Sequence, residues 1–395
     1  MNDPKDHGYG ILPLLILVVA GFTFNTSELI PIGLLSDIAS DFGISEARAG
    51  LLITVYAWVV ATMSLPLMLL FARMNFRTLM TGVVSVFFLS HILTVLSTGY
   101  YTLMFSRIGV ALAHSLFWSI APAMAVAVMP REKRAAALSA LVAGGGVALI
   151  MGLPLGRVLG LVAGWRMAFA AIAVLAALIL LGLRFRFPSI APDLSKGESR
   201  KQMIRSLWQC RPLVCIYIVT VVIVTGHYTG YSYIEPFMAQ IVGMGEKPIT
   251  LTLSLFGVAG LTGSFLMSRW YTARPRLFIL ASCFGLPVMM LLVYPCSMMS
   301  VWFLAAVCIF WGMAMTIFNI AFQNEIVGLF PGDSAVPMSF YSGIFNLGIG
   351  AGAMVGGWVC DAGLLSNICS IGGGISLCAA VFCLLAYIPR RKMQA

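Results

Sequence analysis

Charge is scarce in this chain. Asp, Glu, Lys and Arg make up 10% of its 395 residues, against about 25% in soluble globular domains. With 60% hydrophobic residues and a mean hydropathy of +0.98, that scarcity excludes a water-soluble enzyme, a nucleic-acid binder and a disordered scaffold. Cysteine is missing from the first half. All nine lie from Cys210 onward, mostly inside apolar runs and without a CxxC pair, which argues against a disulfide framework or a metal site and for buried free thiols. The opening residues MNDPKDHGYG lack the basic start and small-residue cleavage site of a signal peptide. GxxxxGK[ST], HExxH, GxSxG and GxGxxG do not occur, so ATP-driven pumping and intramembrane hydrolysis have no motif behind them. No cofactor or metal is expected.

The apolar residues come in long blocks, as in repeated membrane spans. Twelve are expected, at 11–34, 49–71, 78–98, 101–129, 135–160, 165–186, 212–238, 249–270, 276–295, 300–327, 335–360 and 366–389. The longest connection, PSIAPDLSKGESRKQMIRSLWQCR, is charged and divides the spans six and six. The expected organisation is a six-helix bundle over 1–186, a cytoplasmic linker over 187–211 and a second six-helix bundle over 212–395. With the N-terminus inside, 19 of the 24 Lys and Arg fall in inner segments. Four (Arg48, Arg157, Arg166 and Lys247) fall outside, and Arg107 lies within a span. This bias places both termini in the cytoplasm and accounts for the net charge of +10 without nucleic acid.

The halves repeat weakly. Spans one and seven end in NTSELIP and YSYIEPF, and basic loops, FARMNFR and SRWYTARPR, follow spans two and eight. Glycines recur every four residues in span five (Gly152, Gly156, Gly160, Gly164) and span eleven (Gly348, Gly352, Gly356). Each set occupies one helix face, where small residues let backbones approach. These ladders are expected to pack where the halves meet. Two repeated halves with sites at their interface is the design of secondary transporters.

A charge within a span costs about 2.5–3.5 kcal/mol on insertion scales and usually faces a wet cavity or a partner. The candidates are Glu28, Arg107, Glu235 and Glu325, with His114 and His227 as further titratable groups. Gly21, Asn25, Glu28 and Ile32 share one face of span one. A carboxyl there can take up and release a proton, or sit at the interface. Arg107, His114 and Trp118 form a stripe on span four. Arg107 either pairs within the bundle or snorkels to the outer headgroups, and His114 needs a partner, structural or substrate. Span seven is the most polar, with Thr220, His227 and Tyr231 at helical spacing beside Tyr228. Such groups suit a polyhydroxylated ligand. Tyr233 and Glu235 read better as an outer aromatic belt. In span ten Trp311 offers a stacking face, and Thr316, Asn319 and Gln323 offer hydrogen bonds, as does Asn346 in span eleven. Each is also compatible with interhelical packing.

Twelve spans, a basic central loop and two similar halves resemble the major facilitator superfamily. NTSELIPIGLLSDIASDFGIS (25–45) resembles the first-span signature of its bacterial drug/proton antiporter branch. GLPLGRVLGLVAGWRMAF (152–169) is similar to that branch's fifth-span antiporter motif, and Arg107 matches the fourth-span motif arginine. YAWVVATMSLPLMLL, HYTGYSYIEPF and YSGIFNLGIGAGAMVG resemble the SotB-type sugar efflux transporters. The loop after span two departs from the family pattern. Ala72 stands at the acidic position and Asn75 at a glycine position, while Arg73 and Arg77 remain.

The resemblance implies an all-α membrane protein, not an enzyme, that exports arabinose-like sugars or glycosides across the inner membrane by alternating access, coupled to protons. By it, Glu28 is the coupling carboxylate and Arg107 its regulator. Asn25, His114, Trp118, His227, Tyr228, Tyr231, Trp311, Asn319 and Asn346 are the candidate substrate contacts. Arg73, Arg77, Gly152, Pro154, Gly156, Gly348 and Gly352 are candidate gating or structural positions. The expected partners are a sugar, protons and the bilayer, with the chain a monomer. A multidrug/proton antiporter of the same branch and a non-transporting membrane sensor are the alternatives.

Overall fold

The structure is a computed structural model that describes residues 10–71, 74–130, 133–190, 207–330 and 335–392. Among the described residues there are helices and no strands, as expected for a chain whose backbone polar groups must be satisfied within each segment in lipid. Eleven helices among the described residues are long and apolar enough to cross a membrane. In chain order the helices are α1 (Ile11–Gly33), α2 (Leu35–Phe42), α3 (Glu46–Phe71), α4 (Phe76–Val95), α5 (Tyr100–Val128), α6 (Arg134–Val147), α7 (Leu153–Ala163) and α8 (Trp165–Arg186). Then follow α9 (Arg211–Tyr231), α10 (Glu246–Trp270), α11 (Pro275–Met299), α12 (Val301–Leu329), α13 (Ala335–Asp361) and α14 (Ile368–Phe382).

The remaining span, the fifth, is built differently from the single helix expected. It consists of α6 and α7 joined by a π-helical segment, Ala148–Gly152. Pro154 in the first turn of α7 has no N–H to donate back into the preceding turn, and a wider turn is one way a helix accommodates that loss. A second π segment, Cys383–Tyr387, carries the twelfth span on from α14 into Ile388–Lys392. Pro31, Pro66, Pro122, Pro287 and Pro295 lie inside helices.

The described chain gathers into two units. The first comprises residues up to Leu34 and Val59–Lys196, the second Leu35–Trp58 and the chain from Gly197 onward. The division therefore runs through α3, whose first half, with α2, belongs to the second unit.

In the first unit, α1 lies along α6, α7 and α8, and α4 packs between α5 and α8. A Cβ on Gly152, Gly156 or Gly160 would stand 2.6 Å from Thr26 Oγ1, 2.5 Å from Ile30 Cγ1 and 2.5 Å from Leu34 Cδ2 respectively. In the second unit, α9 packs on α13 and α14. A Cβ on Gly348 would stand 2.8 Å from Val224 Cβ, and one on Gly352 2.4 Å from the Thr225 carbonyl oxygen. The two ladders thus seat span five on span one and span eleven on span seven, inside each unit. This corrects the expectation that their glycine faces mark the meeting of the halves. The reason is steric: the small residues lie opposite side chains or backbone groups of the adjacent helix, which fill the space a Cβ would take.

Arg73 lies outside the described residues, as does most of the linker, 191–206. Arg77 donates from Nε to the Leu183 carbonyl at 3.1 Å and from Nη2 to that of Arg184, fastening the start of α4 to the end of α8. Asn75 caps α4, its Oδ1 accepting from Arg77 N at 3.0 Å, while its Nδ2 donates to Ser189 Oγ at 2.9 Å. Asn75, where the family pattern has glycine, thus serves as a helix cap.

Candidate functional site

Two polar clusters lie within the apolar helices, one in each unit. In the first unit α1 contributes Asn25, Ser27 and Glu28. Helical spacing puts Asn25 and Glu28 on the same side, one turn apart. Both remain partly accessible, whereas Arg107 and His114 on α5 are 1% and 5% exposed. Glu28 Oε2 stands 3.8 Å from His114 Nε2. Arg107 Nη1 donates to the Ser27 carbonyl at 3.1 Å. Its guanidinium also lies 5.9 Å from the Phe169 ring centroid. Arg107 is therefore turned into the bundle, and of the two readings its sequence left open, snorkelling is excluded. Trp118 Nε1 donates to Asn25 Oδ1 at 3.1 Å, and Asn25 Nδ2 reaches the Gly145 carbonyl at 3.4 Å. Asn25, Glu28, Arg107, His114 and Trp118 are thus brought together as one group.

Sequence reasoning missed a member of this cluster, His91 on α4. It is fully buried. Its Nδ1 faces the Phe87 carbonyl at 2.9 Å and its Nε2 faces Ser27 Oγ at 2.8 Å. A carbonyl only accepts, so Nδ1 carries the hydrogen, and the neutral ring accepts the Ser27 hydroxyl at Nε2. His91 and Arg107 therefore hold the same residue, Ser27, by its side chain and its backbone. Histidine in the middle of an apolar span was the available signal.

In the second unit, His227 and Tyr231 on α9 stack with centroids 5.1 Å apart, and Tyr231 stacks on Phe256 of α10 at 4.8 Å. Trp311 of α12 meets His227 and Phe256 edge-on, each at 5.4 Å. Its Nε1 donates to His227 Nδ1 at 3.0 Å, which leaves the ring hydrogen of neutral His227 on Nε2. Tyr228 adjoins His227 edge-on at 4.9 Å. Trp311 is wholly buried, so it fixes His227 and offers no open stacking face, a correction to the role its sequence position suggested. Phe256 was not anticipated, because one more Phe in an apolar helix carries no signal.

Two asparagines lie apart from the aromatic group. Asn319 Oδ1 accepts from Gln323 Nε2 at 2.9 Å and from the Tyr341 hydroxyl at 3.0 Å. Asn346 is 9% exposed, and its Nδ2 donates to the Ser342 carbonyl at 3.0 Å. Its Oδ1 is buried and accepts no hydrogen bond from a described residue. A buried acceptor without a donor is costly unless water or a ligand fills the role.

The remaining in-span charges have structural partners. Glu325 accepts the Tyr271 hydroxyl at 2.6 Å and the Tyr387 hydroxyl at 2.5 Å, one on each carboxylate oxygen. Glu235, 3% exposed, accepts the Ser36 N–H at 3.3 Å at the start of α2, and buried Tyr233 donates to the Ala353 carbonyl at 3.0 Å. Neither belongs to an exposed aromatic belt: both turn inward to backbone groups of the same unit. Among the described residues no group of His, Cys, Asp and Glu could hold a metal ion.

The Major Facilitator Superfamily model matches residues 14–335 and 216–395. A "Probable sugar efflux transporter" of Pasteurella multocida (strain Pm70) is 41% identical over 347 residues, covering 88% of this chain and 85% of that protein. A protein of the same description from Mannheimia succiniciproducens is 38% identical over 376 residues, covering 95% and 94%. A D-xylose-proton symporter matches in fold with a TM-score of 0.76 at 14% identity, over 95% of this chain and 97% of that one. A bacterial homologue of the human lysosomal transporter Spinster, inward-facing and unoccupied, matches with a TM-score of 0.73 at 17% identity, over 98% and 96%. With that model matching most of the chain and two relatives at 41% and 38% identity, the chain belongs to the Major Facilitator Superfamily of multi-pass membrane transporters and is not an enzyme.

Proposed function

We propose that this transporter exports sugars in exchange for protons, by alternating access, across the inner membrane with both termini in the cytoplasm. The observation that carries proton coupling is the Glu28 carboxyl, 3.8 Å from His114 and next in sequence to Ser27, whose carbonyl buried Arg107 holds. A carboxyl inside an apolar bundle can alternate between charged and neutral forms as its access changes sides. Asn25, held by Trp118, lies one turn away on the same face, so a substrate hydroxyl bound there would meet the carboxyl's proton state directly.

The sugar reading is supported by the two relatives described as probable sugar efflux transporters, at 41% and 38% identity. His227 Nε2–H, the Tyr228 and Tyr231 hydroxyls and the orphan Asn346 Oδ1 supply the mixed donors and acceptors that a polyol needs. The Tyr231–Phe256 stack favours a second reading, a multidrug antiporter whose ligands are flat and apolar. Proteoliposomes loaded at acid pH and diluted into alkaline buffer separate the two. The expected result is uptake of a labelled pentose or alkyl glycoside that collapses when the pH gradient is dissipated. Gradient-driven uptake of cationic dyes with no sugar transport would contradict the proposal.

A further inference from the structure

Where α9 begins and the twelfth span ends, the second unit has an open groove of about 240 Å³ lined by Trp208, Arg211, Val214, Cys215 and Arg390. The two spans reach the same membrane face there, since α9 packs along α14 and against the Ile388–Lys392 extension. Two arginines line one small groove, and no carboxylate among the described residues does. Arg390 is anchored, Nη1 donating to the Ala386 carbonyl at 2.6 Å and lying 3.8 Å from Cys215 Sγ. The Arg211 side chain makes no hydrogen bond or ion pair with another described residue. Like charges so placed repel unless an anion lies between them, and a guanidinium matches phosphate geometry better than any other side chain.

The surroundings specify the anion further. Trp208 is 58% exposed and rests edge-on against Phe340, centroids 6.5 Å apart, the placement of an indole at headgroup level. Along the two spans away from the arginines, Ile218 (42%), Leu384 (41%) and Leu385 (70%) are exposed apolar residues. A ligand with a phosphate at one end and hydrocarbon at the other satisfies both parts. A zwitterionic headgroup would bring an ammonium for which the described lining offers no counter-charge.

We propose that this groove binds the phosphate of an anionic phospholipid, with Arg211 and Arg390 as the phosphate ligands and Trp208 as the headgroup-level anchor. With the termini cytoplasmic, the lipid belongs to the inner leaflet. The site does not depend on the sugar or proton assignment.

The test is native mass spectrometry of the full chain in detergent, titrated with dioleoylphosphatidylglycerol, with dioleoylphosphatidylcholine and inorganic phosphate as separate arms. The expected result is preferential retention of phosphatidylglycerol. It should weaken about fivefold for each of Arg211→Gln and Arg390→Gln, survive in Arg211→Lys, and be unaffected by millimolar phosphate. Equal retention of the two lipids, or undiminished phosphatidylglycerol retention in the Arg211→Gln/Arg390→Gln protein, overturns the proposal. Competition by inorganic phosphate also overturns it, assigning the groove to the free anion. Should the double variant fail to fold, Arg211→Lys against Arg211→Gln decides the matter alone, and equal retention by the two would overturn the phosphate role.

Discussion

His91 and Arg107 grip opposite sides of one residue. The His91 ring accepts the Ser27 hydroxyl at 2.8 Å, and the Arg107 guanidinium takes the Ser27 carbonyl at 3.1 Å. Since Glu28 is the next residue, the two contacts set where its carboxyl stands. His91→Phe leaves the Ser27 hydroxyl buried without that partner, at a cost of about 1–3 kcal/mol. Ser27→Ala removes the other half of the pair. The double variant is expected to lose less than the sum of the singles, by about 0.5–3 kcal/mol in a double-mutant cycle read from reversible unfolding in mixed micelles. Full additivity would show that the two side chains do not act together.

The glycine ladders make unequal demands. A Cβ on Gly156 meets the side chain of Ile30, which can be trimmed, whereas one on Gly352 meets the Thr225 carbonyl at 2.4 Å and the Thr229 N at 2.9 Å. Overpacking costs about 1–3 kcal/mol. Gly156→Ala should therefore be recovered in melting temperature and transport by Ile30→Ala, and no side-chain trimming at α9 should recover Gly352→Ala. Gly156→Leu should insert but not transport. Normal transport by a well-expressed Gly156→Leu protein would contradict this packing.

Glu325 has both carboxylate oxygens engaged by tyrosine hydroxyls, joining the ends of α10, α12 and the twelfth span. Hydrogen bonds to a charged group contribute about 1.5–3 kcal/mol each. Tyr387→Phe and Tyr271→Phe should lower the melting temperature while leaving proton-driven transport dependent on the gradient. Loss of gradient dependence with unchanged stability would move Glu325 from structure to coupling.

Under the proposed sugar-binding role of His227, Trp311 would act on substrate through the hydrogen bond it donates to that ring. Trp311→Phe keeps the buried aromatic volume and removes the donor to Nδ1, a neutral hydrogen bond of about 0.5–1.5 kcal/mol. Sugar affinity should fall roughly 2- to 12-fold, measured by equilibrium binding to the purified protein. His227→Ala should lose more. A Trp311→Phe protein of unchanged affinity would separate His227 from the sugar.

Much of the fold was legible in the residues. The spans followed from hydropathy, and helical spacing brought Asn25 and Glu28 to one face and Arg107, His114 and Trp118 to another. What periodicity could not supply was depth and partner choice. Arg107 near the start of α5 had two physically reasonable destinations, and only the position of the Ser27 carbonyl decides between them. Glu235 and Tyr233 looked like a belt because their order in sequence says nothing of α2 folding back over them. His91 was overlooked because the partner that ties it to the cluster, Ser27, lies on α1, 64 residues away. The break in the fifth span was signalled by Pro154, yet a proline in a membrane helix can equally be absorbed without a π turn.

Proton coupling through Glu28 is tested most directly by Glu28→Gln. The amide keeps size and hydrogen bonding and is permanently uncharged. In inverted membrane vesicles with an acid interior, the wild-type protein should accumulate sugar. The variant should bind sugar about as well in the purified state and exchange it across the membrane without a gradient, yet accumulate none. If Glu28→Gln still concentrates sugar against its gradient, protons do not drive export through Glu28, and the coupling carboxylate lies elsewhere in the chain.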